Sequence, residues 1–201
     1  MAESLQTRAR EHEVASRQLA NHAQQQSAVA ALGQFALVNQ DFNALIHQAV
    51  TLVGQALEVE LTHLLELQPD GETLLMRAGV GWNPECVGAG PLAAHSDSHP
   101  AFVLASGEPV VIENMRSEKR FVTPPIFREH NIVSGVSVVV STRQGPCGVL
   151  GAYSHRERTF TGDEINFMVA VATALGLAAE RSRTRSEEHT SELQSPYVIS
   201  Y

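Results

Sequence analysis

Nine histidines and two cysteines have the widest chemical repertoire in this 201-residue chain, and their spacing decides what they can do. His95 and His99 stand four residues apart, a separation that on one helix would present two imidazoles to a metal ion. Ser96-Asp97-Ser98 between them and Pro100 after them oppose a continuous helix, and no Cys or Glu completes a standard set, so no metal is expected. Cys86 and Cys147 form neither a CxxC pair nor a dense thiol framework, which fits a reducing compartment. Thiol redox chemistry would need the two close in space, as nucleophile and resolving partner. Cys86 lies in an irregular, accessible stretch, whereas Cys147 opens a strand among Gly and Val and reads as a small packing residue. Gly79, Gly81, Gly148 and Gly151 lack the Lys-Ser/Thr of a phosphate loop and read as tight backbone geometry or close packing. No residue is assigned a catalytic role.

The elements that position these residues follow from hydrophobic period and turn chemistry. Residues 3 to 38 are rich in Ala, Gln, Glu and Arg without proline, which predicts one long helix whose apolar positions gather only towards its end. Asp41 caps a second helix that places Phe42, Leu45, Ile46, Ala49, Val50, Val53 and Leu57 on one broad face. At Leu61 the period changes to that of strands: Leu61 to Leu67, a Pro69-Asp70-Gly71 turn, and Thr73 to Ala78 predict a hairpin. The stretch from Gly79 to Pro109 is irregular, with a short helix over Pro100 to Ser106. Strands are predicted at Pro109 to Glu113, Val133 to Thr142 and Cys147 to His155, with a helical turn at Ile126 to His130 and an Arg143-Gln144-Gly145-Pro146 turn. Thr161 and Glu164 form the capping box of a last helix that is apolar on two faces, through Ile165, Met168 and Leu175 and through Phe167, Val171 and Ala178. That second face predicts a second packing partner.

Composition bounds the function classes. A hydrophobic fraction of 43% against 18% charged residues supports one sizeable core. With a net charge of −8 and no basic stripe, nucleic acid is not an expected partner. The polar Met1 to Gln6 start lacks the apolar core of a signal peptide, and no run of about 18 apolar residues stands out as a membrane span. A cytoplasmic location is expected; a membrane-anchored parent protein stays open.

The element order is that of an α+β fold with an antiparallel sheet. Within it, Arg77-Ala78-Gly79-Val80-Gly81-Trp82, Ser106-Gly107-Glu108-Pro109-Val110-Val111, Val133-Ser134-Gly135-Val136-Ser137-Val138, Gly145 to Ala152 and Arg158-Thr159-Phe160-Thr161 stand in one order. These blocks resemble those of bacterial GAF domains, over about residues 28 to 182. The resemblance implies a GAF/PAS-like fold, with terminal helices on one face of the sheet that often dimerise and a small-molecule pocket on the other. It implies a sensor associated with a histidine kinase or similar two-component protein, acting as a homodimer on an output module. The pocket is expected between the sheet and residues 79 to 109, with 121 to 130 as a lid, and its ligand-binding residues as Trp82, Asp97, Phe121, His130, Ser137 and Tyr153. No cofactor is expected. Neither Cys86-Val87 nor Cys147-Gly148 is the Cys-His pair that holds a tetrapyrrole, and His130 and His155 are the only haem-ligand candidates considered. The cyclic-nucleotide pattern is also missed, because Asn114 precedes Met115 and Phe160 stands too close to Asp163-Glu164. Two alternatives remain: a GAF-type free methionine sulfoxide reductase using its cysteines, and a purely structural dimerisation module.

The last residues read differently. Arg185 to Ser195 matches one reading frame of a widely used sequencing adapter residue for residue, and Ile199-Ser200-Tyr201 fits its continuation. The expected organisation is therefore a helical lead-in over 1–27, a GAF domain over 28–184, and a non-native segment over 185–201, with the native frame running on past Thr184.

Overall fold

The computed structural model describes residues 2–89, 92–93 and 97–194. Helix α1 runs over Ala2–Val38 without a break, as its proline-free composition requires. Helix α2, Phe42–Leu57, starts where Asp41 accepts hydrogen bonds from the amides of Asn43 (2.9 Å) and Ala44 (3.3 Å). Its C-cap residue, Glu58, adopts the left-handed conformation. Strands β1 (Leu61–Leu67) and β2 (Thr73–Val80) pair antiparallel. Their turn is fixed by Asp70, which accepts from the Glu72 and Thr73 amides and the Thr73 hydroxyl, while Gly71 takes φ +71°.

The irregular stretch adds a two-residue strand, β3 (Leu92–Ala93), at the sheet edge. Helix α3 spans His99–Ser106, strand β4 Val110–Ile112 and helix α4 Pro125–Glu129. Strands β5 (Ser134–Thr142) and β6 (Gly145–Ser154) form the longest hairpin. The expected four-residue turn is shorter than predicted: Gly145 pairs with Thr142, leaving only Arg143 and Gln144 as the loop, because Gly145 can take φ +122°. The complete sheet is antiparallel in the order β3-β2-β1-β6-β5-β4.

Alternation along the strands divides the protein into two cores. Thr62 and Leu64 of β1, Val136, Val138 and Val140 of β5, and Leu150 and Ala152 of β6 face the helices. There they meet Leu45, Ile46, Val50 and Val53 of α2, Leu32 of α1, and the last helix, α5 (Gly162–Gln194). The capping box forms as its sequence requires: the Glu164 amide donates to the Thr161 hydroxyl while the Glu164 carboxylate accepts from the Thr161 amide at 2.7 Å. Phe167, Met168, Val171, Ala172 and Leu175 are all buried, so α5 satisfies two faces within one chain, against β5 and against α1 and α2. By length and composition Gly162–Arg185 would also cross a membrane, a similarity not expected from the sequence; here its inner face is part of the core. Leu61, Leu65, Leu74, Met76, Val149 and Tyr153 form the opposite core, under α3 and α4.

Two glycines on helices test this packing with opposite signs. A Cβ on Gly176 of α5 would lie 2.0 Å from the Ser141 carbonyl of β5, whereas one on Gly33 of α1 would meet nothing within 4 Å. Gly176→Ala is expected to destabilise by about 1–3 kcal/mol through overpacking, and Gly33→Ala to stabilise by about 0.5–1 kcal/mol through helix propensity. Urea denaturation of both variants measures the contrast; equal effects would contradict the close seating of α5 on β5.

Candidate functional site

The face of the sheet away from the terminal helices carries a layer of aromatic rings and imidazoles. Its centre is a row of register partners, His63 on β1, Gly151 on β6 and Ser137 on β5. Tyr153, two residues beyond Gly151, lays its ring across this row. A Cβ on Gly135 would come within 2.3 Å of the ring and one on Gly151 within 2.4 Å of the hydroxyl, so only glycine leaves room for the side chain. The hydroxyl pairs with Ser137 at 2.8 Å and reaches the His63 Nε2 at 3.4 Å, a long contact. Burial holds the phenol above its usual range, the hydrogen bond with Ser137 offsetting only part of the effect, so it stays protonated.

His63 is buried between Trp82 and Tyr153, with ring centroids 5.2 Å from each. Trp82 is brought over it by Gly81, whose φ of +80° turns the chain where a side chain would strike the Glu60 carbonyl at 2.2 Å. The Trp82 indole donates to the Thr62 carbonyl at 2.9 Å, leaving only its apolar face free. From the other side, His99 enters at the first turn of α3, whose Ser98 cap accepts from the Ala101 amide. It packs against Phe121 (4.8 Å) and Phe127 of α4 (5.2 Å). Among buried side-chain polar atoms, His63 Nδ1 and His99 Nε2 have no hydrogen-bond partner. Burial is the main cause that pushes both imidazoles down to about 3, with the neighbouring His99 adding to the effect on His63. Both rings are therefore neutral near pH 7.

A cavity of about 450 Å³ opens among these groups. His63, Leu65 and Met76 line it from the sheet, Trp82 and Cys86 from the loop after β2, His99 from α3, and Pro124, Pro125, Ile126 and Phe127 from the α4 segment. Asp97 and Glu129, both exposed, stand at its rim. The α4 segment is held down by His130, whose Nδ1 lies 2.9 Å from the Ile126 carbonyl while its Nε2 accepts from the Asn83 amide at 3.0 Å. A larger concavity, about 780 Å³, lies on the helix side between α2, the end of β1 and α5. Its wall mixes Asp41, Glu66, Arg77 and Arg183 with apolar groups and contains no buried polar atom lacking a partner among the described residues, so it poses no recognition problem that a ligand would solve. The smaller cavity is the candidate site.

This architecture has known counterparts. A match to the GAF domain family covers residues 41–179. The chain belongs to the GAF family. The "Methanogenesis regulatory histidine kinase FilI" of Methanothrix harundinacea is 30% identical over 177 residues, which cover 80% of this chain but only 19% of that protein. Among solved structures, the GAF domain from an Acinetobacter phosphoenolpyruvate-protein phosphotransferase superposes with a TM-score of 0.72 at 23% identity, covering 80% of this chain and 95% of that one. The free methionine-R-sulfoxide reductase from Neisseria meningitidis superposes with a TM-score of 0.70 at 14% identity, covering 82% and 93%. At such identities the structural likeness extends to the fold. The family match and the regulatory histidine kinase relative support a signalling role.

Of the residues expected to bind a ligand in this GAF domain, Trp82 and Asp97 line the cavity. Phe121, His130, Ser137 and Tyr153 sit behind its wall: Phe121 supports α3, His130 spends both ring nitrogens on the protein, and Ser137 and Tyr153 satisfy each other beneath His63. They shape the site without lining it. His95 lies outside the described residues, and among those described no group of three metal-ligating side chains gathers. Cys86 is on the cavity side and Cys147 packs on the helix side, so the sheet separates the two thiols and no disulfide partner stands beside Cys86 among the described residues. Burial raises the Cys147 thiol above its usual range, which suits packing rather than nucleophilic attack.

His63 was not foreseen as a site residue, and His99 was weighed only as a metal ligand. The available signal was His63 at a buried position among the leucines of Leu61–Leu67. Because their folded-state values lie below the unfolded value of 6.5, both histidines take up protons only on unfolding as pH drops. Their stabilising effect is complete above pH 6.5 and declines towards pH 3, by up to about 1.4 kcal/mol per pH unit for each. Denaturant unfolding between pH 6.5 and 5, where carboxylates are still ionised, should show falling stability. The double variant His63→Leu, His99→Leu should flatten that slope; an unchanged slope would contradict neutral burial.

Proposed function

We propose that this chain is the cytoplasmic sensory input module of a signalling protein, a histidine kinase or a similar two-component parent. In this reading it binds a small molecule and has no catalytic activity of its own. The cavity on the sheet face opposite the terminal helices carries the proposal: it is apolar, of a size that suits a small ligand, and floored by β1 and β2, against which α2 packs on the reverse side. Of the expected binding residues, Trp82 offers its ring face and Asp97 its carboxylate, joined by His63, Met76, His99 and Phe127. The kinase relative supports the association with phosphotransfer output, and the output module is a proposed partner.

Transmission is proposed to run through α1 and α5 of a homodimer. Within one chain these helices are parallel: His22 lies 3.9 Å from Asp163 at one end, while Leu37 and Ala178 line the same small cleft at the other. Helix α1 therefore extends beyond the domain at one end and α5 beyond it at the other, so an upstream and a downstream module would connect in series. Every described side chain from residue 10 to residue 24 is exposed, and Leu19, Val169 and Leu177 are exposed apolar groups on these helices. A second copy would cover them in a parallel bundle. Ligand binding would bias the output only through different affinities for two arrangements of that bundle.

Analytical ultracentrifugation of residues 1–184 is expected to show a dimer. Deleting residues 1–27 should weaken it while circular dichroism and the unfolding transition persist, because the deleted side chains contribute little to the core. A strict monomer at high concentration, with the helices intact, would contradict transmission through a dimer.

A further inference from the structure

The chemistry of the cavity restricts what it can recognise. Nearly every polar tip in the surrounding layer is already used: Trp82 Nε1 on the Thr62 carbonyl, Tyr153 on Ser137, and both His130 nitrogens on backbone groups. The Ser98 hydroxyl caps α3 and Pro100 in its first turn has no amide hydrogen, so little is left there to hold an anion. What remains inside is His63 Nδ1 and His99 Nε2, buried and without partners, on two rings that both line the cavity. Leaving a buried polar atom unsatisfied is costly, and a ligand carrying a matching donor or acceptor would recover that cost.

Charge narrows the class further. No Lys or Arg occurs between Arg77 and Arg116, the whole span that supplies the loop and α3 walls. None lines the cavity among the described residues, and the carboxylates at its rim, Asp97 and Glu129, repel anions. Arg120, the nearest cation to α3, is held by Glu118 and the Val111 carbonyl and lies over the outer Phe102 ring. Trp82 and Phe127 pack on each other, with centroids 6.1 Å apart, and both line the cavity, an aromatic wall that favours a ring laid against it.

We propose that the cavity takes a compact, uncharged, ring-bearing molecule with a hydrogen-bonding edge that meets His63 Nδ1 and His99 Nε2, and that it rejects phosphates and carboxylates. This rests on the sensory reading above and names the ligand class. Both imidazoles are neutral, so each can donate or accept according to its tautomer, and neither supplies the positive charge that an anion would require.

The test compares three probes on the chain of residues 1–184: indole, which is neutral with one N–H donor; benzoate, an anion of similar size; and 3′,5′-cyclic AMP. Indole is expected to raise the melting temperature in proportion to its concentration and to shift the Met76 methyl resonance, while the two anions do neither. Because indole carries a single N–H it bonds one imidazole at a time, so whichever of His63→Leu and His99→Leu removes that acceptor should weaken indole binding about tenfold, the effect of losing one hydrogen bond. If either leucine variant fails to fold, the other variant and the Met76 shift in the unaltered chain carry the same decision. Stabilisation by benzoate or cyclic AMP equal to or greater than that by indole would overturn the ligand class and leave the sensory reading standing. If no probe moves Met76 or the melting temperature, both fall. Indole binding undiminished in both leucine variants would overturn the role of the two imidazoles alone.

Discussion

The cavity side of this protein depends on one steric condition, that Tyr153 can lie flat across its own sheet. A tyrosine on a central strand would ordinarily stand away from the sheet and fill the space above it. Here Gly135 and Gly151 remove the two Cβ atoms it would strike, and the hydroxyl finds Ser137 on the next strand. The ring becomes a support beneath the lining rather than filling. Trp82, His63, His99 and Phe127 then rest on or beside it, with centroids 4.8 to 6.1 Å from Tyr153. With a side chain at either glycine the tyrosine would rise into the layer that now holds the cavity.

The reverse face of the same strands imposes a second condition. Leu150 and Ala152 of β6 and Val136 and Val138 of β5 are buried against the helices, and Gly176 lets α5 approach the Ser141 backbone. Close-packed interiors transmit displacement because they have few voids to absorb it. A ligand that displaces His63 or Met76 acts on β1 and β2, whose reverse side packs on α2, and through the pairing of β1 with β6 and β6 with β5 on the strands that seat α5. That continuity gives the proposed sensing a physical route: cavity, sheet, and the helices α2 and α5 on its reverse side. Its coupling strength depends on how differently a ligand binds the two arrangements of the helices.

Much of this was legible in the chain. The Asp41 cap, the Asp70 turn and the Thr161-Glu164 box each act through local hydrogen bonds, and the structure forms all three. The two-sided sheet followed from the resemblance of the family blocks. The lining of the site was harder to read because it depends on where side chains point after the strands pair. Tyr153 and Ser137 have the amphipathic character of ligand contacts, but their cross-strand partnership is invisible until β5 and β6 are placed in register. His130 looked like a free polar group, and only the folded loop shows both of its nitrogens engaged. His63 was overlooked among the leucines of β1, where a lone imidazole marks a buried polar position. The glycines were read correctly as close-packing residues, but what they pack against was not apparent.

The Tyr153 slot can be measured directly by a double-mutant cycle in denaturant between Gly151→Ala and Tyr153→Phe. A Cβ at 151 meets the Tyr153 hydroxyl first, at 2.4 Å, and then the ring edge at 2.7 Å. Gly151→Ala is therefore expected to cost about 1–3 kcal/mol through overpacking. Removing the hydroxyl should relieve part of that cost, giving a coupling of at least about 0.5 kcal/mol between the two sites. A neutral Gly151→Ala, or strictly additive effects, would contradict the claim that the space over Gly151 holds Tyr153 and thereby supports the layer that lines the cavity.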